Sequence, residues 1–217
     1  WRTKIHSTFG GKIFDIILAV LNLFLEIRLA SNSKLRSLCA KRINSINCSA
    51  SFVSLSKMII KYFILPLVDN SSINNKKEEQ VLIKELIKVS KILKNNKQKI
   101  LFEIDYPPIK LKNFIKKFSP AVFGINYDLG NSASNGYDLK DEIDYFKYVN
   151  NVHIKDRKLN GHTVPLGKGH ANFDFFFKNM KKINYKGNFI LQTARGKNDI
   201  SEIKKNLIFL KKFNFFN

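Results

Sequence analysis

Short apolar runs alternate with segments of helical periodicity along the second half of the sequence, and this alternation restricts the fold more than any other feature. The runs cover residues 100–104, 122–127, 148–154 and 189–191. Between them, apolar side chains recur at spacings of three and four residues, as at Leu111, Phe114, Ile115 and Phe118. Strands that alternate with helices in this way are typical of βαβ units and a parallel sheet. The sequence therefore predicts an α/β fold.

Polar side chains stand at the end of each predicted strand. They are Glu103, Asp128, His153 and Gln192, in chain order. A histidine between apolar neighbours is often only a core residue, so His153 alone is a weak signal. In a β/α barrel, however, the C-terminal ends of the strands line the active-site face. Four polar ends in succession converge only if the sheet curls, so the pattern predicts a site at the mouth of a barrel.

Longer motifs around these positions resemble a known family. The motifs are F-E-I-D-Y-P-P at 102–108, N-Y-D-L-G-N-S-A-S-N-G-Y-D at 126–138, N-V-H-I-K-D-R at 151–157, G-H-T-V-P-L-G-K-G-H-A-N-F at 161–173 and Y-K-G-N-F-I-L-Q-T-A-R at 185–195. In this order they resemble the sugar phosphate isomerase/epimerase family of xylose isomerase-like TIM barrels. The resemblance runs from about residue 60 to residue 195 and implies a (β/α)8 TIM barrel.

The resemblance also implies a metal site. The family holds a divalent metal ion with a glutamate, an aspartate, a histidine and a second glutamate, which here fall on Glu103, Asp128, His153 and Gln192. Gln192 departs from the family pattern, because an amide offers only its carbonyl oxygen as a ligand. Oxygen-rich sites with one imidazole suit Mn²⁺, Mg²⁺ or Zn²⁺. We expect one divalent metal ion of this group.

Removal of a proton next to a carbonyl needs a base and a Lewis acid. Glu103 is the expected base, and the arginine that approaches substrate in the family falls on Arg157. The expected substrate contacts are Asn131, Lys155, Asp156, Lys168 and His170. Simpler interpretations compete with these roles: an ion pair of Lys155 and Arg157 with Asp156, turn formation around residues 167–170, and backbone capping by Asn131.

Chain length favours one shortened barrel. An eight-stranded barrel usually needs roughly 250 residues, whereas this chain has 217 and begins at Trp1. The predicted strands lie at 23–27, 43–48, 62–67, 100–104, 122–127, 149–154 and 188–193. We therefore expect a single domain over residues 1–217 that lacks the first strand. Because an open barrel exposes strand edges, pairing into a homo-oligomer is an option.

The most apolar stretch, residues 13–25, could pass for a signal peptide or membrane anchor. Asp15 and Asn22 interrupt it, and a membrane span needs about 20 largely apolar residues. A buried helix that runs into a strand is the favoured interpretation. Cys39 and Cys48 have neither metal-ligand spacing nor the density of a disulfide framework, which favours a reducing, cytoplasmic location.

The net charge of +21, from 38 Lys and Arg against 17 Asp and Glu, invites a nucleic-acid hypothesis. The lysines are spread over all predicted helices, whereas a nucleic-acid footprint is clustered. No nucleic-acid partner is therefore expected.

Three functions compete. The favoured one is a metal-dependent isomerase or epimerase of a small sugar or sugar phosphate. Isomerisation is preferred, since Gln192 leaves Glu103 as the single carboxylate base. An abasic-site endonuclease needs a zinc cluster rich in histidine, and the chain has four histidines. A non-catalytic relative is the third alternative.

Overall fold

The computed structural model describes residues 61–196 and 198–215. Its strands are β1 (Tyr62–Leu67), β2 (Lys99–Ile104), β3 (Phe123–Asp128), β4 (Val149–Ile154), β5 (Asp156–Arg157), β6 (Thr163–Val164) and β7 (Asn188–Leu191). Its α-helices are α1 (Lys76–Asn95), α2 (Pro108–Ile115), α3 (Leu129–Ser134), α4 (Leu139–Glu142), α5 (Phe173–Lys182) and α6 (Asp199–Lys211). Two 3-10 helices cover Asp69–Ser71 and Ile143–Tyr148.

The main sheet has the strand order β1-β2-β3-β4-β7. The pairs β2–β3, β3–β4 and β4–β7 are parallel, and helices separate these strands along the chain. The predicted parallel α/β architecture is confirmed. A separate antiparallel hairpin joins β5 to β6.

The chain divides into two compact units. One contains α1, which begins after the cap Asn75, whose side chain accepts the N–H of Glu78. Its buried stripe is Leu82, Leu86, Val89 and Leu93, at the helical spacing that the sequence predicts. The other unit covers residues 64–72 and the chain from residue 100 onward, and it contains all the candidate site residues. The prediction of one domain over residues 1–217 stays a prediction.

The sheet of this second unit has one aromatic face and one polar face. Strand side chains alternate between the faces, so Phe123, Ile125 and Tyr127 of β3 share one face while Asn126 and Asp128 share the other. On the aromatic face, Tyr127 stacks at 5.7 Å between ring centroids on Phe176 of α5. Phe123 lies parallel to Phe102 of β2 at 5.9 Å. Helices thus cover one face, and the opposite face presents the polar residues.

Two predicted details differ from the structure. Leu139, Ile143 and Phe146 recur at helical spacing in the sequence and predict one helix, but α4 gives way at Ile143 to a 3-10 helix with the sequence I-D-Y-F-K-Y. β-Branched and aromatic residues lose side-chain freedom in an α-helix, which explains the early end. The β5–β6 hairpin was not predicted, because two residues per strand are too few for a periodic signal.

Several predictions concern residues 1–60, which lie outside the described residues. They are the apolar stretch 13–25, the strands at 23–27 and 43–48, and the interpretation of Cys39 and Cys48. In the part of the chain that the structure describes, no helix is both long and apolar enough to cross a membrane.

Candidate metal centre

Three strand ends bring Glu103, Asp128 and His153 together. Asp128 pairs with His153 in the register of β3 and β4, and one potential ligand atom from each of the three residues lies within 4.8 Å of the other two. The Nδ1 atom of His153 is 3.8 Å from Oε2 of Glu103 and 3.8 Å from Oδ2 of Asp128. Nitrogen and oxygen ligands lie about 2.0–2.2 Å from a zinc ion, so two ligands at the tetrahedral angle are about 3.3–3.6 Å apart. The two 3.8 Å separations are close to that spacing.

The electrostatics of the centre also suit a cation. Burial raises the pKa of Glu103, and the neighbouring charge of Asp128 raises it further, while His153, the Asn126 amide and Lys155 act in the opposite direction. Asp128 is itself only 6% exposed. Two carboxylates at this depth repel each other, and a divalent ion between them removes that repulsion.

Two buried asparagines, Asn126 and Asn151, form hydrogen bonds beside the candidate ligands. Asn126 donates through Nδ2 to Oε2 of Glu103 at 2.9 Å, and the same nitrogen lies 3.4 Å from each ring nitrogen of His153. Asn151 donates to Oδ1 of Asn126. The sequence interpretation missed both asparagines. The signal was present, since each stands two residues before a candidate ligand, at Asp128 or His153, and therefore on the same face of its strand.

Lys155 and Arg157 both contact the side-chain oxygen of Asn131. Nζ of Lys155 lies 3.3 Å from Oδ2 of Asp128 and 3.3 Å from Oδ1 of Asn131. Nη1 of Arg157 donates to that same Oδ1 at 2.9 Å, and its Nε donates to the carbonyl of Gly161 at 2.9 Å. Asn131 also donates its backbone N–H to Oδ1 of Asp128 at 2.8 Å. The structure thus brings Lys155 and Asn131 into contact with Asp128, and Lys155 forms an ion pair with it. Arg157 reaches Asn131.

Asp156 has a different environment from that expected of a substrate contact. It is fully buried, and its carboxylate accepts the backbone N–H groups of Gly167 at 2.9 Å, Gly169 at 2.8 Å and Ala171 at 3.1 Å. A Cβ atom on Gly169 would come within 2.0 Å of this carboxylate, so only glycine allows the approach. Asp156 therefore holds the loop before α5 in place.

The remaining predicted site residues, Gln192, Lys168 and His170, are exposed. Gln192 follows β7 and donates its N–H to the carbonyl of Ile154 at 3.0 Å. Nδ1 of His170 accepts the N–H of Leu159 at 3.1 Å.

His170 lines a cavity of about 300 Å³, together with Ser132, Tyr137, Lys140 and neighbouring residues. A smaller cavity of about 30 Å³ lies against Glu103, Asp128 and Asn131. Ser132 and Tyr137 line both cavities. The larger cavity therefore adjoins the one at the candidate ligands Glu103 and Asp128.

Known proteins share sequence and fold with this chain. A protein of Escherichia coli (strain K12), provisionally named L-ribulose-5-phosphate 3-epimerase SgbU, is 28% identical over 43% of this chain and 36% of its own length. A xylose isomerase domain protein from Planctomyces limnophilus has a TM-score of 0.60 at 18% identity, over 70% of this chain and 59% of its own. The IolI protein with a bound zinc atom has a TM-score of 0.60 at 16% identity, over 72% of this chain and 64% of its own.

This chain covers 36% of the curated relative and 59% and 64% of the two solved structures. The likeness to the solved structures shows the fold. The sequence model for the xylose isomerase-like TIM barrel matches residues 40–213, which include every strand of the described sheet. The predicted barrel class and the predicted family are therefore confirmed. The chain belongs to the xylose isomerase-like TIM barrel family.

Proposed function

We propose that this protein is a metal-dependent isomerase or epimerase of a small sugar or sugar phosphate. The observation that carries the proposal is the convergence of Glu103, Asp128 and His153 within 4.8 Å at three strand ends. Two carboxylates and one imidazole form a donor set that suits a divalent ion. The zinc atom in the similar IolI structure supports such an ion. Zn²⁺ should therefore be tested first, followed by Mn²⁺ and Mg²⁺.

The cavities support a small polar substrate. The larger one, about 300 Å³ in volume, is at the lower end of the range for small-molecule sites. Its polar lining by Ser132, Tyr137 and His170 suits a hydroxylated ligand. The name of SgbU supports a phosphorylated pentulose as one candidate, and Lys155 and Arg157 are cations that could neutralise an anionic group or a developing oxyanion.

The chain's own residues would carry the proton transfer. Glu103 accepts the proton from the carbon next to the carbonyl. Asn126 orients Glu103 through the hydrogen bond to Oε2. Lys155 and Arg157 would contact the substrate oxygens. A bound divalent ion, held by Glu103, Asp128 and His153, would supply Lewis-acid stabilisation of negative charge on oxygen.

Gln192 favours isomerisation over epimerisation. Epimerisation returns the proton to the opposite face of the carbon and so needs a donor on each side, whereas an amide cannot act as an acid or base. Aldose–ketose isomerisation can move a proton between adjacent carbons on one face with a single base. The epimerase name of SgbU supports the other alternative, with Lys155 as the second donor.

The test is solvent exchange. Metal-loaded protein is incubated with ketoses and their phosphates in D₂O, and NMR locates the deuterium. The expected result is deuterium beside the carbonyl together with aldose formation, and loss of both in Glu103→Gln. Inversion at C3 without aldose would refute the single-base argument. No exchange with any sugar would favour the non-catalytic relative, which the exposed Gln192 also supports.

A further inference from the structure

A buried glutamate outside the metal centre accepts hydrogen bonds from three hydroxyl groups. Glu142, at the end of α4, is 1% exposed. Its Oε2 accepts the hydroxyl of Tyr127 at 2.7 Å and that of Ser132 at 2.7 Å, and its Oε1 accepts the hydroxyl of Tyr145. Burial, and next the charge of Glu142, raises the pKa of both Tyr127 and Tyr145, so these phenols remain protonated donors. Burying a carboxyl group is costly unless it is hydrogen-bonded, and these three hydroxyls meet that need.

The two residues that donate to Oε2 of Glu142, Tyr127 and Ser132, lie on either side of the candidate ligand Asp128 in the sequence. Tyr127 immediately precedes Asp128, and Ser132 immediately follows Asn131. Within the segment, Oδ1 of Asp128 accepts the N–H of Asn131 at 2.8 Å, which leaves Oδ2 directed to His153 and Lys155. This segment, Asp128 to Asn131, is the turn at the start of α3. One carboxylate oxygen of Glu142 therefore binds the chain on both sides of the turn.

We propose that Glu142 is a positioning residue for the metal centre. Through Tyr127 and Ser132 it holds the turn from Asp128 to Asn131 so that Oδ2 of Asp128 faces Glu103 and His153. This inference rests on the proposed function, since it assigns Glu142 a role at the same site. Outer groups that orient metal ligands typically change metal affinity by about 10- to 100-fold when removed.

Tyr145 provides a matched control. Its hydroxyl also donates to Glu142, and its ring is as deeply buried as that of Tyr127. It belongs to the 3-10 helix that directly follows Glu142, so its hydrogen bond spans three residues and does not reach the Asp128 turn. Removing either phenol hydroxyl deletes one buried hydrogen bond to the same carboxylate, but only Tyr127 links it to the turn.

The experiment compares Tyr127→Phe, Ser132→Ala and Tyr145→Phe with the parent chain. Calorimetry gives the affinity for Mn²⁺, and NMR hydrogen exchange of the metal-free protein gives the protection of the Asn131 amide. We expect Tyr127→Phe and Ser132→Ala each to weaken Mn²⁺ binding by about tenfold and to reduce protection of that amide. Tyr145→Phe should stay within about twofold of the parent in both measurements, with a similar loss of thermal stability to Tyr127→Phe.

Equal effects of Tyr127→Phe and Tyr145→Phe on affinity and protection would overturn the proposal, because Glu142 would then act only on general stability. Unchanged protection of Asn131 in Tyr127→Phe and Ser132→Ala would overturn it as well. A parent chain that binds no Mn²⁺ or Zn²⁺ would refute the proposed function instead. In that case, reduced protection of the Asn131 amide in Tyr127→Phe and Ser132→Ala but not in Tyr145→Phe would still show that Glu142 positions the turn.

Discussion

Nζ of Lys155 lies 3.3 Å from Oδ2 of Asp128, the same oxygen that is 3.8 Å from Nδ1 of His153. The ammonium group thus occupies a position where it neutralises a proposed metal ligand in the metal-free protein. A metal ion that binds Asp128 must compete with this cation. Lys155 can then turn to Asn131, which it already contacts at 3.3 Å, or to the substrate.

Replacing Lys155 by methionine should tighten metal binding and reduce turnover. The substitution keeps the length of the side chain but removes a positive charge a few ångströms from the ion, so we expect about tenfold higher affinity for Mn²⁺. Sugar turnover should fall at least about tenfold if Lys155 contacts the substrate. Lys178→Met, which removes an exposed lysine of α5, is the control for net charge. Unchanged or weaker Mn²⁺ binding in calorimetry would contradict the competition.

Gly130 should be intolerant of a side chain because Lys155 lies across it. A Cβ atom at Gly130 would be 2.6 Å from Cγ and 2.9 Å from Cβ of Lys155. We expect Gly130→Ala to lower the free energy of unfolding by about 1–3 kcal/mol, as overpacking does. Urea denaturation measures the change, and the double variant with Lys155→Ala should recover part of it. Additive effects of the two substitutions would rule out the steric explanation.

Asp156 should matter for stability through the loop that it holds. Asp156→Asn keeps one acceptor oxygen but points an N–H₂ group at backbone donors, so at least one buried N–H loses its partner. The expected loss is about 2–3 kcal/mol in the free energy of unfolding. Asp174→Asn, on an exposed position of α5, should change it by less than about 0.5 kcal/mol. An unchanged free energy of unfolding in Asp156→Asn would show that the three hydrogen bonds do not stabilise the fold.

Glu142 should make stability depend on pH. Burial raises the pKa of Glu142 in the folded protein, and the hydroxyls of Tyr145, Ser132 and Tyr127 offset part of that rise. Because the folded state binds the proton more tightly than the unfolded state, the contribution of Glu142 is fully present below its usual pKa. It is lost as the pH rises through the raised pKa.

Glu142→Gln has no such titration. The stability of the parent minus that of Glu142→Gln should therefore decrease as the pH rises across this window. Thermal unfolding of both proteins from pH 4 to pH 8 measures the difference. A difference that grows with pH would mean that the folded-state pKa is lowered.

The sequence allowed the strands and the three strand-end residues to be predicted because both depend on local patterns. Each strand is an apolar run, and Glu103, Asp128 and His153 follow at its polar end. The family motifs fixed their order. Parallel pairing then brings the strand ends together, and it does so for any sequence of the segments that connect the strands.

The missed contacts depend on partners that are distant in sequence. The role of Glu142 was not predicted, since nothing local in the sequence reveals that Tyr127 and Ser132 donate to it. Asp156 stands in a motif that suggested a ligand contact, but the glycines that turn its carboxylate to the loop are more than ten residues further on. Gln192 lies at the predicted strand end, and its metal role stays a prediction.

Calorimetric titration of Mn²⁺ and Zn²⁺ into the parent chain and into His153→Ala tests the metal centre most directly. His162→Ala, which removes an exposed imidazole, is the matched control. We expect one ion per chain for the parent and for His162→Ala, and at least about 100-fold weaker binding for His153→Ala, as on losing a metal ligand. Equal affinity of His153→Ala and the parent would contradict the assignment of Glu103, Asp128 and His153 as the metal site.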